Sequence, residues 1–184
     1  MLDEPTVRYR LNARNEIAFV DEGWDRFAAE NDAPELMGDA VLGRPLSDFL
    51  RDESIAQVYR HLLDRVRRGH PARFEIRCDG PERRRLLSLH VRATTAGEVE
   101  FTTTPVRLEP RDPVRLLDRR APRGSGLVRL CAWCNRVWAD DGWLEVENAI
   151  ARLGLFETQP MPALTHGMCP GCLDRVTAAF PGAG

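Results

Sequence analysis

The 184 residues balance 26 basic against 28 acidic groups with 43% hydrophobic residues, a composition that excludes a disordered tail or a nucleic-acid coat and fits a globular chain. No apolar run approaches the roughly 18 residues of a membrane span, and the N-terminus lacks the basic start and apolar stretch of a secretion signal, so a cytoplasmic protein is expected. In that compartment the five cysteines are expected to be metal ligands or redox thiols rather than structural disulfides. All 26 basic residues are arginine, which is read as genome composition rather than as phosphate recognition.

In chain order, Thr6 to Leu11 and Asn15 to Val20 flank the turn-like Asn12-Ala13-Arg14 and predict a β-hairpin. Asp21 is placed to cap a helix from about Gly23 to Glu30. Residues 31–45 hold two Gly and two Pro among polar residues and predict loop or short turns, followed by one more turn at Leu46, Phe49 and Leu50. From Ser54 the helical period is clear: Ile55, Val58, Tyr59, Leu62, Leu63 and Val66 share one face, with Ser54 or Asp52 as cap and Arg67-Arg68-Gly69 as terminator. After Pro71 the period becomes two. Three strands follow, carrying Phe74, Ile76 and Cys78, then Leu87, Leu89 and Val91, then Val99 and Phe101, joined by turns at Asp79-Gly80-Pro81-Glu82 and Thr95-Ala96-Gly97-Glu98.

Two strands, short helices and three strands predict an α+β fold, a five-stranded antiparallel sheet with helices on one side. This order resembles a PAS domain, the small sensory module of signalling proteins, over residues 1–108. The stretches Ile17 to Trp24 and Arg77-Cys78-Asp79-Gly80-Pro81 with Arg83-Arg84-Arg85 are similar to a bacterial group of PAS-like proteins that carry a cysteine-rich C-terminal piece. A Pro- and Arg-rich linker is expected at 109–126, with Val114, Leu116 and Leu117 available to pack as a short turn, and a small second module at 127–184.

That module holds Cys131-Ala132-Trp133-Cys134 and Cys169-Pro170-Gly171-Cys172. Each Cys-x2-Cys pair can present two sulfurs to one ion from a single turn, so four thiolates can close a segment too small to fold easily alone. Between the pairs, the sequence predicts a hairpin turning at Asp140-Asp141-Gly142, a helix from about Val146 to Leu153 and a proline-containing loop; the second pair opens a last short helix from Leu173 to Phe180. Cys131 to Val137, Gly142-Trp143 and Leu164-Thr165-His166-Gly167-Met168 leading into the second pair resemble the tail found after PAS, GAF or receiver domains in bacterial signalling proteins. The resemblance implies a signalling context and assigns no reaction.

Structural Zn2+ held by Cys131, Cys134, Cys169 and Cys172 is the expected cofactor, with iron as the alternative. His166 reads either as a residue beside the site or as an alternate ligand in a Cys3His set; an exposed loop histidine is the bland reading. Arg129, Arg136 and Arg175 are placed to offset thiolate charge. From Leu127 onward four arginines face six acidic residues, which disfavours nucleic-acid binding. Trp133, Trp138, Trp143 and Leu144 are expected in the module's core and its contact with the first domain, a partner-binding surface being the alternative.

Arg83-Arg84-Arg85 reads as a solvated strand entry, or as an anion holder. Cys78 reads as a buried small side chain, and His61 and His90 carry no ligand pattern. No phosphate loop, zinc-hydrolase helix or nucleophile elbow occurs in the sequence, and four protein ligands leave no open position for water at the metal, so a non-enzymatic protein is expected. The expected role is sensory or protein-interacting, through another signalling protein or a homodimer, without nucleic acid or membrane. A redox- or metal-responsive thiol switch is one rival. An enzyme or small-ligand binder using the PAS-like cavity, whose residues the sequence does not identify, is the other.

Overall fold

The computed structural model describes residues 4–50, 52–155 and 160–179. The chain divides into two compact units, one formed by residues up to Glu75 with Leu87–Val106, the other by Ile76–Leu86 with the chain from Arg107 onward.

In the first unit β1 (Val7–Leu11) and β2 (Ile17–Val20) form the hairpin, and α1 (Glu22–Glu30), α2 (Gly38–Val41) and α3 (Glu53–Arg67) all lie in the connection that leads to β3 (Ala72–Arg77). Then follow β4 (Arg83–Ala93) and β5 (Val99–Pro110). The strands make one antiparallel sheet in the order β2-β1-β5-β4-β3, the PAS-like arrangement expected, with Tyr9 opposite Val20 on one side and Phe101 on the other.

Local chemistry accounts for the helix starts. The Asp21 carboxylate accepts from Trp24 N at 3.0 Å and the Asp52 carboxylate from Ile55 N at 3.2 Å, each satisfying a donor that the first helical turn leaves open. α3 ends at Gly69, whose φ of +90° is readily open only to glycine. Its apolar face buries Ile55, Val58, Leu62, Leu63 and Val66. Phe101 is fully buried and carries the Tyr9 ring stacked at 4.6 Å, with Trp24 edge-on to Tyr9 at 5.3 Å. Each such apolar side chain contributes about 1.5–3 kcal/mol on burial.

The second unit has a sheet of its own, ordered β8-β7-β6-β9, from β6 (Arg123–Cys131), β7 (Val137–Ala139), β8 (Gly142–Leu144) and β9 (Met161–Gly167). α4 (Val146–Arg152) links β8 to β9, and α5 (Pro170–Ala178) follows; Phe180, the expected end of that helix, lies outside the described residues. β9 replaces the loop expected before the second cysteine pair and runs parallel to β6, with Val128 opposite Leu164 and Cys131 opposite Gly167. Pro160 just before it and Pro162 within it hid it in the sequence; Pro162 is tolerated because β9 is an edge strand, where one edge of the backbone needs no partner.

Residues 109–126 hold the end of β5, a 3-10 turn at Arg115–Leu117 and the start of β6. Val114, Leu116, Leu117 and Ala121 are buried in the same core as Val128, Leu130, Val137, Val146 and Ile150. Glu82 O and Pro81 O accept from Arg111 N (3.1 Å) and Val114 N (2.8 Å), which ties this stretch to the β3–β4 turn. The core of this unit is therefore mostly aliphatic. Among the three tryptophans only Trp133 is buried; Trp138 points outward between buried Val137 and Ala139 and meets Trp143 edge-on at 5.8 Å.

Candidate metal centre

β6 delivers Cys131 into a tight turn. Asn135 N donates to Cys131 O (2.9 Å) and Cys131 N to Arg136 O (2.7 Å), and Asn135 takes a φ of +58°, a left-handed conformation that asparagine tolerates better than most residues. The parallel strand β9 ends beside it, where Ala132 N donates to Gly167 O at 2.9 Å. Two residues on, Cys169 sits at the N-cap of α5, Pro170 occupies the first turn without wasting a donor, and Cys172 N donates to Cys169 O at 3.0 Å. Parallel pairing of β6 with β9 is thus what brings two turns 38 residues apart to one point, where Cys169 N donates to Cys131 Sγ at 3.3 Å.

The four sulfurs of Cys131, Cys134, Cys169 and Cys172 lie within 4.8 Å of one another, and all five cysteines of the chain are free thiols. Cys134 Sγ and Cys169 Sγ are 3.7 Å apart. A zinc ion with four thiolates at about 2.3 Å in a tetrahedron sets its sulfurs about 3.8 Å apart, so the donors fit that ion with little rearrangement. Cys131, Cys169 and Cys172 are buried and Cys134 half-buried.

The thiols share protons unevenly. Cys131 is pulled down to about 4, first by the hydrogen bond from the Cys134 thiol, against burial, and further by the backbone N–H groups of Cys169, Trp133 and Cys134. The same bond, with burial, holds Cys134 well above its ordinary value. Burial and then the Cys169 thiol push Cys172 up to about 11, against the pull of Arg175, whose Nη2 donates to Cys172 Sγ at 2.9 Å. A cation that displaces all these protons relieves that competition, which is why thiolate sites and metal binding are linked to pH.

Arg175 thus meets a thiol directly. Arg136 pairs with Glu145 at 3.1 Å, and Arg129 lies 6.0 Å from the Trp143 ring. His166 is exposed on β9 in register with Leu130, and the four-sulfur group does not include it. Cys78 is half-buried and His90 exposed.

The sequence reading missed an ion network in the same unit. The Asp79 side chain is fully buried and pairs with Arg77 and with Arg111 Nη1 (3.3 Å). Arg77 also holds Glu145 at 2.5 Å, while Arg111 and Arg84 share Glu147, the former at 2.7 Å. Arg84 therefore binds a carboxylate of its own chain, and Arg85 is 6% exposed, so the basic triplet is not simply a solvated strand entry. Burial pushes Glu145 and Glu147 up, and their arginines more than reverse it, leaving both carboxyls below the ordinary range. The one local signal was an aspartate two residues after an arginine at a turn, which by itself marks any hairpin.

A cavity of about 770 Å³ lies within this unit, lined among the described residues by Arg84, Arg111, Glu147, Ile150, Leu155, Met161 and neighbours on 109–116. Of its lining carboxylates Glu109, Asp112 and Glu147, the last is held below the ordinary range by Arg84 and Arg111.

Neither protein-family models nor curated proteins match the sequence. Among solved structures, similarity is found to a domain of an HTR-like protein from Haloarcula marismortui, 17% identical with a TM-score of 0.37, covering 56% of this chain and 99% of that one. A sensory box sensor histidine kinase from Vibrio cholerae is 11% identical with a TM-score of 0.39, over 57% of this chain and 84% of that one. The PAS domain of BvgS from Bordetella pertussis is 17% identical with a TM-score of 0.37, over 55% and 73%.

Proposed function

We propose that this chain is a non-enzymatic, cytoplasmic sensory or protein-interaction protein whose second unit is built around a structural Zn2+ held by Cys131, Cys134, Cys169 and Cys172. The observation that carries the reading is the convergence of four sulfurs within 4.8 Å, drawn from two turns far apart in sequence. A complete thiolate set leaves no position open for substrate or water, so the ion's role is to hold the two turns together. The PAS-like sheet supports signalling by analogy of fold, with another signalling protein or a second copy as partner.

Native mass spectrometry with elemental analysis tests the metal reading. One zinc per chain is expected, with uptake lost or much weakened in Cys172→Ser; purified, reduced, well-folded protein that takes up no metal overturns it. Iron in place of zinc would keep the geometry and change the assignment.

A second reading, a redox- or metal-responsive thiol switch, draws on the partial exposure of Cys134 within the four-sulfur group, since access is one of the factors that govern thiol oxidation. It requires that near-stoichiometric peroxide eject zinc reversibly and change the oligomeric state. Slow, poorly reversible loss favours the structural role.

A further inference from the structure

The first cysteine turn holds a strand as well as two sulfurs. Residues 76–86, the ends of β3 and β4 with the turn between them, belong with the cysteine unit. In an extended strand the main-chain groups of residues i and i+2 face one side and those of i+1 the other. Cys78 N donates to Arg85 O (3.1 Å) across the hairpin, while on the other edge Arg77 N donates to Trp133 O (2.9 Å).

Asn135 completes that second edge. Its Nδ2 donates to Arg77 O at 3.0 Å and its Oδ1 accepts from Asp79 N at 2.9 Å. The polarity of these two backbone partners dictates the orientation of the carboxamide, which stands in for a peptide group of a β-ladder. Asn135 is 7% exposed and follows Cys134 directly, in the turn closed by its own N–H on Cys131 O. The bonds that shape this turn for two sulfurs also aim the carboxamide at the strand.

We propose that Asn135 is a positioning residue that couples metal occupancy of the four-cysteine site to the order of the 76–86 hairpin. The inference rests on the metal reading above. With the ion bound, the turn from Cys131 to Cys134 is pinned at two sulfurs and Asn135 is held against the strand edge. With the ion gone, the turn keeps its main-chain bonds and the bond from Cys169 N to Cys131 Sγ but loses the ion that pins its two sulfurs, and Arg77 O and Asp79 N lose a fixed partner. Linkage makes the effect reciprocal: the factor by which bound metal favours the ordered hairpin is the factor by which the ordered hairpin strengthens metal binding.

Asp79 and Arg77 also hold the hairpin through their ion pairs, so the test follows individual amides in the full chain by hydrogen exchange, zinc-loaded and after chelation with EDTA. In the wild type, chelation is expected to speed exchange at Asp79 by about 10-fold or more, the scale of losing one well-made hydrogen bond. Asn135→Gly keeps the left-handed turn open and removes the carboxamide, so Asp79 should exchange fast while one zinc per chain is retained. Zinc bound at one per chain with Asp79 equally protected in wild type and Asn135→Gly, or unchanged on chelation, overturns the coupling and leaves the metal reading intact. Wild type that takes up no zinc overturns both.

Discussion

Replacing Asp79 with Asn removes one negative charge where the side chain is fully buried and two guanidiniums, Arg77 at 21% and Arg111 at 4% exposure, converge on it. Breaking a buried ion pair from one side costs about 3–5 kcal/mol when the remaining charge is stranded. Here each arginine keeps a second carboxylate, Glu145 for Arg77 and Glu147 for Arg111, so the expected cost falls to about 2–3 kcal/mol. At a urea slope of about 2 kcal/mol/M, that moves the unfolding midpoint down by about 1–1.5 M. The assay is urea unfolding of zinc-loaded full chain followed by tryptophan fluorescence in a Trp24→Phe background, where the remaining tryptophans, Trp133, Trp138 and Trp143, all report the second unit. Arg152→Ala, which breaks exposed pairs with Asp140 and Asp141 in the same unit, is the comparator and should cost under about 0.5 kcal/mol. If Asp79→Asn shifts the midpoint no more than the comparator, the network does not hold this unit together.

Leu116 is fully buried in the second unit's core, so Leu116→Ala should destabilise the same transition by about 2–5 kcal/mol; a change under about 0.5 kcal/mol would mean that residues 109–126 behave as a free linker. Glu147 has a folded-state pKa below its unfolded value, so its contribution is full above the ordinary carboxylate range and is lost as pH falls through the lower folded value. The stability gap between wild type and Glu147→Gln should therefore close on acidification across that window, and a gap that widens there refutes the assignment. His166 is exposed and outside the four-sulfur group, so His166→Ala should retain one zinc per chain by elemental analysis; loss of the metal would point to a Cys3His site.

Much of the first unit was legible because its rules are local. A helix face repeats every three to four residues, and Asp21 and Asp52 lie three residues before the amides they cap. The chemistry of the cysteine pairs was legible for the same reason, since Cys-x2-Cys is a property of one turn. What the sequence alone could not decide is which distant groups meet.

Arg77 reaches Glu145 across 68 positions, Arg84 reaches Glu147 across 63, and Arg111 reaches Asp79 across 32. With 26 arginines and 28 carboxylates, no charge pattern selects those pairs beforehand. The strand β9 and the carboxamide of Asn135 were hidden likewise, because a parallel edge strand and a side chain acting as a strand partner have no period of their own. Composition and spacing therefore determined most of the elements and the pairing of cysteines within each turn. Only the packing of β6 against β9, and of residues 76–86 against the cysteine turn, decided where the sulfurs meet and what they hold in place.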